Sequence, residues 1–148
     1  MFRLKPGIKS DPVKRWNLSE RVFFACGACH ILAYAFLETY PEHGFRAVWI
    51  RPAEGFTGNH VFVCNGETAF DFHGYRCEKA LVAHHWAKGR LWWPGWDATL
   101  VPLPQDVLVS EAKSKAYDGL WLREPGQFLH DALPRARAFL RRFGPPPG

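Results

Sequence analysis

A chain of 148 residues, 47% hydrophobic and 16% aromatic, carries enough apolar surface for one compact domain and is too short for two independent ones. Nineteen Lys and Arg against fourteen Asp and Glu leave a net charge of +5, much of it at the two ends, in Arg3, Lys5, Lys9, Lys14 and Arg15 and in Arg135, Arg137, Arg141 and Arg142. That mild bias, without any RNA- or DNA-binding motif, reads as solvated charge and not as a nucleic-acid or anionic-membrane footprint.

Residues 1 to 20 mix Pro6, Pro12, charges and Trp16 without a period, which predicts an extended lead-in with one short helix. The segment is too polar for a secretory leader. The apolar run Val22 to Leu37, interrupted by Gly27 and His30, is shorter than the ~20 residues a membrane span requires. The expectation is a soluble cytoplasmic protein whose four cysteines are reduced thiols.

From Ala28 to Tyr40 the apolar positions Leu32, Ala33, Phe36, Leu37 and Tyr40 recur at helical spacing, and Pro41 forbids continuation. Cys29 thus falls in the first turn of a helix. Phe45 to Arg51 reads as a strand, and a loop with Pro52, Gly55, Gly58 and Asn59 leads to a second, His60 to Cys64. Asn65-Gly66 is a two-residue hairpin signal, and Glu67 to His73 is the return strand.

Cys77 to Lys88 reads as a helix capped by Gly89 in the left-handed region, with His84 and His85 partly exposed on it. Trp92, Trp93 and Trp96 then form an aromatic loop that serves either as a packed edge of the core or as an apolar wall of a substrate cleft. Ala98 to Leu103 is a further strand, Val107 to Tyr117 is ambiguous, and Pro134 to Phe143 is a closing helix with Pro134 at its first position. Residues 1–148 form one domain, with a flexible tail over 145–148.

Three of these residues carry chemistry together. A thiol with a pKa of about 8.5 is mostly protonated at neutral pH, and the positive end of a helix favours its thiolate. If Asn65 and Gly66 are the turn residues, counting outward sets Phe62 opposite Ala69 and His60 opposite Asp71. Opposed Cβ atoms lie about 4.5 to 5.5 Å apart, so the carboxylate can hold one imidazole nitrogen and leave the other free to take a thiol proton; local spacing alone does not bring Cys29 to it.

The stretch Cys26-Gly27-Ala28-Cys29 followed by an apolar helix resembles the nucleophile helix of papain-like enzymes, C-G-[SA]-C-[WY], departing from it at His30. The order Cys29, His60, Asp71, with its short spacing, is similar to that of compact transglutaminase-like and arylamine N-acetyltransferase-like proteins, over roughly residues 20 to 90. The resemblance implies an α+β, papain-like core with the nucleophile helix packed on an antiparallel sheet. It also implies a Cys29, His60, Asp71 triad with Cys26 as a buried neighbour, and a thioester route in a hydrolase or acyl transferase acting on a peptide, protein or small amide or acyl substrate. Papain-like proteases carry a Gln ahead of the nucleophile, where this chain has Phe23, which leaves the side-chain oxyanion donor unassigned.

Other readings stay open at this point. Cys26 to His30 also spells C-x-x-C-H, the attachment motif of c-type haem. Cys26, Cys29, Cys64 and Cys77 with a histidine could form a zinc site, although Cys64 and Cys77 lack knuckle spacing. The same fold could also serve as a non-catalytic interaction module. The triad reading expects no metal and no cofactor.

Overall fold

The strands alternate in the face they bury. In β1 (Arg46–Pro52), Ala47 and Trp49 join one core cluster while Val48 and Ile50 join another; in β2 (His60–Cys64), Val61 and Val63 go with the first and Phe62 and Cys64 with the second. Strands covered on both faces have no polar side to show, which is why these segments read as nearly unbroken apolar runs. With β3 (Thr68–Asp71), β4 (Gly74–Cys77) and β5 (Ala98–Leu103) they form one antiparallel sheet in the order β4-β3-β2-β1-β5. This computed structural model describes all residues 1–148.

Helices supply the two covers. On one face lie α2 (Glu20–Ala25), α3 (Cys29–Thr39) and α6 (Ala132–Leu140), whose Phe23, Phe24, Ile31, Phe36 and Phe139 pack on Trp49, Val61, Val63 and Phe70. On the other face α4 (Glu78–Trp92) places Leu81 against Ile50, Phe62 and Trp96. The architecture is therefore α+β, a meander of four strands extended by β5 on the far side of β1. Short helices α1 (Pro12–Trp16) and α5 (Glu111–Ser114) lie in the segments before α2 and after β5. Arg135 of α6 ties the end of α1 and the start of α2 to the body, donating to Trp16 O, to Leu18 O at 2.8 Å and to Glu20 Oε1.

The hairpin differs from the expected one by one position. Asn65 N–H donates to Thr68 O at 3.1 Å, so Gly66 and Glu67 are the central turn residues, and the ladder pairs Cys64 with Ala69 and Val63 with Phe70. Two forces set this register. Gly66 takes φ +99°, suited to the first central position of a type II′ turn, and Asn65 Oδ1 accepts the N–H groups of Glu67 (3.0 Å) and Thr68 (2.8 Å). A turn moved by one residue moves each partner by two, so every side chain keeps its face. His60 and Asp71 share that face, but diagonally and not directly opposed.

Three further expectations need correction. The return strand ends at Asp71, a strand not expected, β4, follows over Gly74–Cys77, and the helix expected from Cys77 to Lys88 runs from Glu78 to Trp92. Gly89 is no left-handed cap: it lies within α4, buried, where a methyl group would come 2.5 Å from the Trp96 ring. The last helix starts at Ala132, since Asp131 caps it by accepting Leu133 N–H at 3.0 Å, and Pro134 fits in a first turn whose amides have no helical acceptor.

No helix is long and apolar enough to cross a membrane.

Candidate active site

The first turn of α3 meets the sheet where β2 begins. Gly27 reaches φ +103°, open to glycine at little cost, and lets the chain turn from α2 into α3 so that Cys29 opens the helix. Its Sγ accepts the Val61 N–H at 3.4 Å, which seats the sulfur at the mouth of the sheet. His60, the residue before Val61, presents its ring there.

His60 Nε2–H donates to Asp71 Oδ2 at 3.0 Å, and both side chains are buried, His60 3% and Asp71 4% exposed. The second carboxylate oxygen accepts His73 N–H at 2.9 Å and lies 3.3 Å from His73 Nδ1. Each lone-pair side of Asp71 is thus engaged, which fixes the carboxylate. With Nε2 committed, His60 has Nδ1 left for the sulfur.

Charge follows this arrangement. Burial alone would raise the Cys29 thiol, but interactions with the side chains of His30 and His60 bring its pKa down to about 5. Burial alone would lower His60, yet the hydrogen bond to Asp71 and the interaction with Cys29 push it up to about 9. Against burial, the hydrogen bonds from His60 and His73 hold Asp71 well below the usual carboxylate range. Between those limits the pair is thiolate and imidazolium.

Two further buried histidines, neither expected in the triad, flank this pair. His85 of α4, expected partly exposed, is buried; its ring stacks on His60 at 5.4 Å between centroids and 10° between planes, and its Nε2–H donates to Gly58 O at 2.8 Å. Burial, then the His60 charge, drives its pKa down to about 3, so it backs the imidazolium as a neutral ring. The spacing of His85 one turn after Leu81, which is buried, is the sequence signal for its inward face. His30 is buried too, and its Nε2–H donates to Arg123 O at 2.7 Å, a contact across the fold that no local pattern announces.

A cleft of about 670 Å³ opens over Cys29 and His60. Residues 1–7 form one wall, where Phe2 packs on Phe72 at 5.6 Å and its carbonyl accepts from Cys26 Sγ at 3.7 Å. Of the three tryptophans proposed for a cleft wall, only Trp93 lines it. Trp96 is wholly buried with its indole N–H on Thr57 O at 2.7 Å, and Trp92 stands beside Arg3 outside the lining. Asn59 also lines the cleft, and since Trp49 Nε1 can only donate, its 2.9 Å bond fixes Asn59 Oδ1 toward the indole and leaves the amide nitrogen for other partners.

The remaining thiols are differently placed. Cys26 is raised by burial and by neighbouring Cys29, Cys64 is pushed up to about 11 by burial and Glu78, and Cys77 is exposed at the end of β4. None is in a disulfide. No group of three or more His, Cys, Asp or Glu side chains is arranged to hold a metal ion, and the C-x-x-C-H histidine has its Nε2 engaged by Arg123 O in the interior.

Compared with protein-family models, with curated proteins and with solved structures, the chain matches none.

Proposed function

We propose that this protein is a cysteine-dependent hydrolase or acyl transferase of papain-like, transglutaminase-like type, with Cys29 as nucleophile, His60 as acid and base, and Asp71 as the group that orients His60. One observation carries the reading: a thiol at a helix N-terminus, inside an open cleft, beside an imidazole whose far nitrogen is held by a buried carboxylate at 3.0 Å. Structural cysteines are inert because burial keeps them protonated; this one is half-buried, lines the cleft and favours thiolate.

In the proposed reaction the Cys29 thiolate attacks the carbonyl carbon of an amide or ester, forming the C–S bond while the π electrons move to oxygen. The unpaired amides of the first turn of α3 stabilise that oxyanion. Its collapse breaks the bond to the leaving group, which takes the proton from the His60 imidazolium and departs. Neutral His60 then removes a proton from water or an amine as that acceptor attacks the thioester, and the thiolate is released. Hydrolysis and transfer differ only in the acceptor.

The test is alkylation by iodoacetamide at pH 6, mapped by mass spectrometry. Cys29 should react far faster than Cys26, Cys64 and Cys77, and H60A should remove that advantage. Equal, slow labelling of all four thiols would overturn the catalytic reading in favour of an interaction module.

A further inference from the structure

The cleft has an electrostatic character that the triad does not use. Arg3, Lys5, Lys9, Arg15 and Arg123 line it, and no Asp or Glu does. Neither Arg15 nor Arg123 forms an ion pair.

Arg15 is the decisive residue. It is only 6% exposed, yet its Nε and Nη1 have no hydrogen-bond acceptor in the protein. Its Nη2 lies against the loop that precedes the nucleophile, where a Cβ on Gly27 would stand 2.9 Å away, so the glycine makes room for the guanidinium near Cys26, in the cleft that Cys29 also lines. A buried cation with orphaned N–H groups is costly in a folded protein, and Arg123 adds like-charge repulsion in place of relief. What the fork lacks is an oxyanion, which a planar guanidinium receives through two parallel hydrogen bonds.

Resting on the proposed Cys29 chemistry, we infer that Arg15 and Arg123 form an anion subsite beside the nucleophile, and that the acyl substrate carries an oxyanion, a carboxylate or a phosphoryl group, near its reacting carbonyl. The subsite selects substrates by charge. It also draws anionic compounds into a cleft whose walls focus the positive field, an effect of about tenfold or more on association at low salt.

Two alkylating agents that differ in charge test this separately from the nucleophile assignment. Thiolate displaces iodide from both iodoacetate and iodoacetamide, so the rate ratio of the anionic to the neutral reagent at Cys29, divided by the same ratio at exposed Cys77, reports the field and not the thiol's reactivity. That quotient should be about tenfold at low salt, collapse toward one in R15Q and R123Q, fall only partly in R15K, and decline as salt is added. If R15Q does not fold, R123Q and R15K carry the result. Added succinate or inorganic phosphate should slow the iodoacetate reaction at Cys29, and the stronger of the two identifies the substrate's anion as carboxylate or phosphoryl. A quotient near one in the unmodified protein, a quotient indifferent to both arginines, or no protection by either anion would overturn the subsite while leaving the iodoacetamide result intact. Slow Cys29 labelling by iodoacetamide would instead overturn the nucleophile assignment, with anion binding then read by thermal stabilisation of C29A.

Discussion

His60 is held at both ends of its ring, and this fixes how the site responds to pH. Cys29, lowered to about 5, loses its thiolate as pH falls through that value; His60, raised to about 9, loses its charge as pH rises through it. The rate of Cys29 alkylation should therefore climb through about pH 5, and turnover that needs imidazolium to protonate a leaving group should fall through about pH 9, both read from pH profiles. D71N removes the carboxylate that raises His60, so its alkaline limb should move to lower pH. Asp71 has a depressed folded pKa, so its contribution to stability is complete above about 4 and is lost as pH falls below that. D71A, which strands a buried imidazolium, should cost about 3 kcal/mol in urea unfolding at neutral pH, with D71N costing less.

At the scale of elements, α4 and the hairpin hold His60 from two sides. α4 approaches through Gly89, whose missing side chain admits the Trp96 ring, and the same helix carries His85 onto the back of His60. G89A should overpack that contact and cost about 1 to 3 kcal/mol in chemical denaturation. Displacement of His85 should accompany it, seen as a shift in the alkaline limb of the pH profile. In the hairpin, a turn expected at Asn65-Gly66 and found at Gly66-Glu67 leaves His60 and Asp71 together. A strand's side chains repeat every two residues, so the turn at Gly66-Glu67 makes the expected opposed pair a diagonal one on the same face, still within reach of an imidazole and a carboxylate.

For the molecule as a whole, the cleft is made where distant segments converge: the first residues, the turn into α3, the Gly58–Asn59 loop, and the Gly119 to Arg123 stretch. Residues 1–7 hold their wall by few contacts, chiefly Phe2 on Phe72 and Arg3 over Trp92 and Trp93. Deleting them should speed Cys29 alkylation by the neutral reagent and lower the unfolding midpoint by less than G89A does, measured on the same preparation. A slower reaction would mean that this segment shapes the site and does not restrict it.

The sequence by itself determined the helix opening at Cys29, the two strands bearing His60 and Asp71, the strand Ala98–Leu103 and the α+β class, because hydrophobic period, Gly and Pro punctuation and turn chemistry act over a few residues. Only the tertiary structure decided that Cys29 reaches Val61 N–H, that His85 faces inward, that Trp96 is core while Trp93 is cleft, and that Arg15 comes to rest beside Gly27. Those contacts join segments far apart in the chain. They depend on how helices seat on a sheet, which is settled by packing of the whole core and leaves no local periodicity to read.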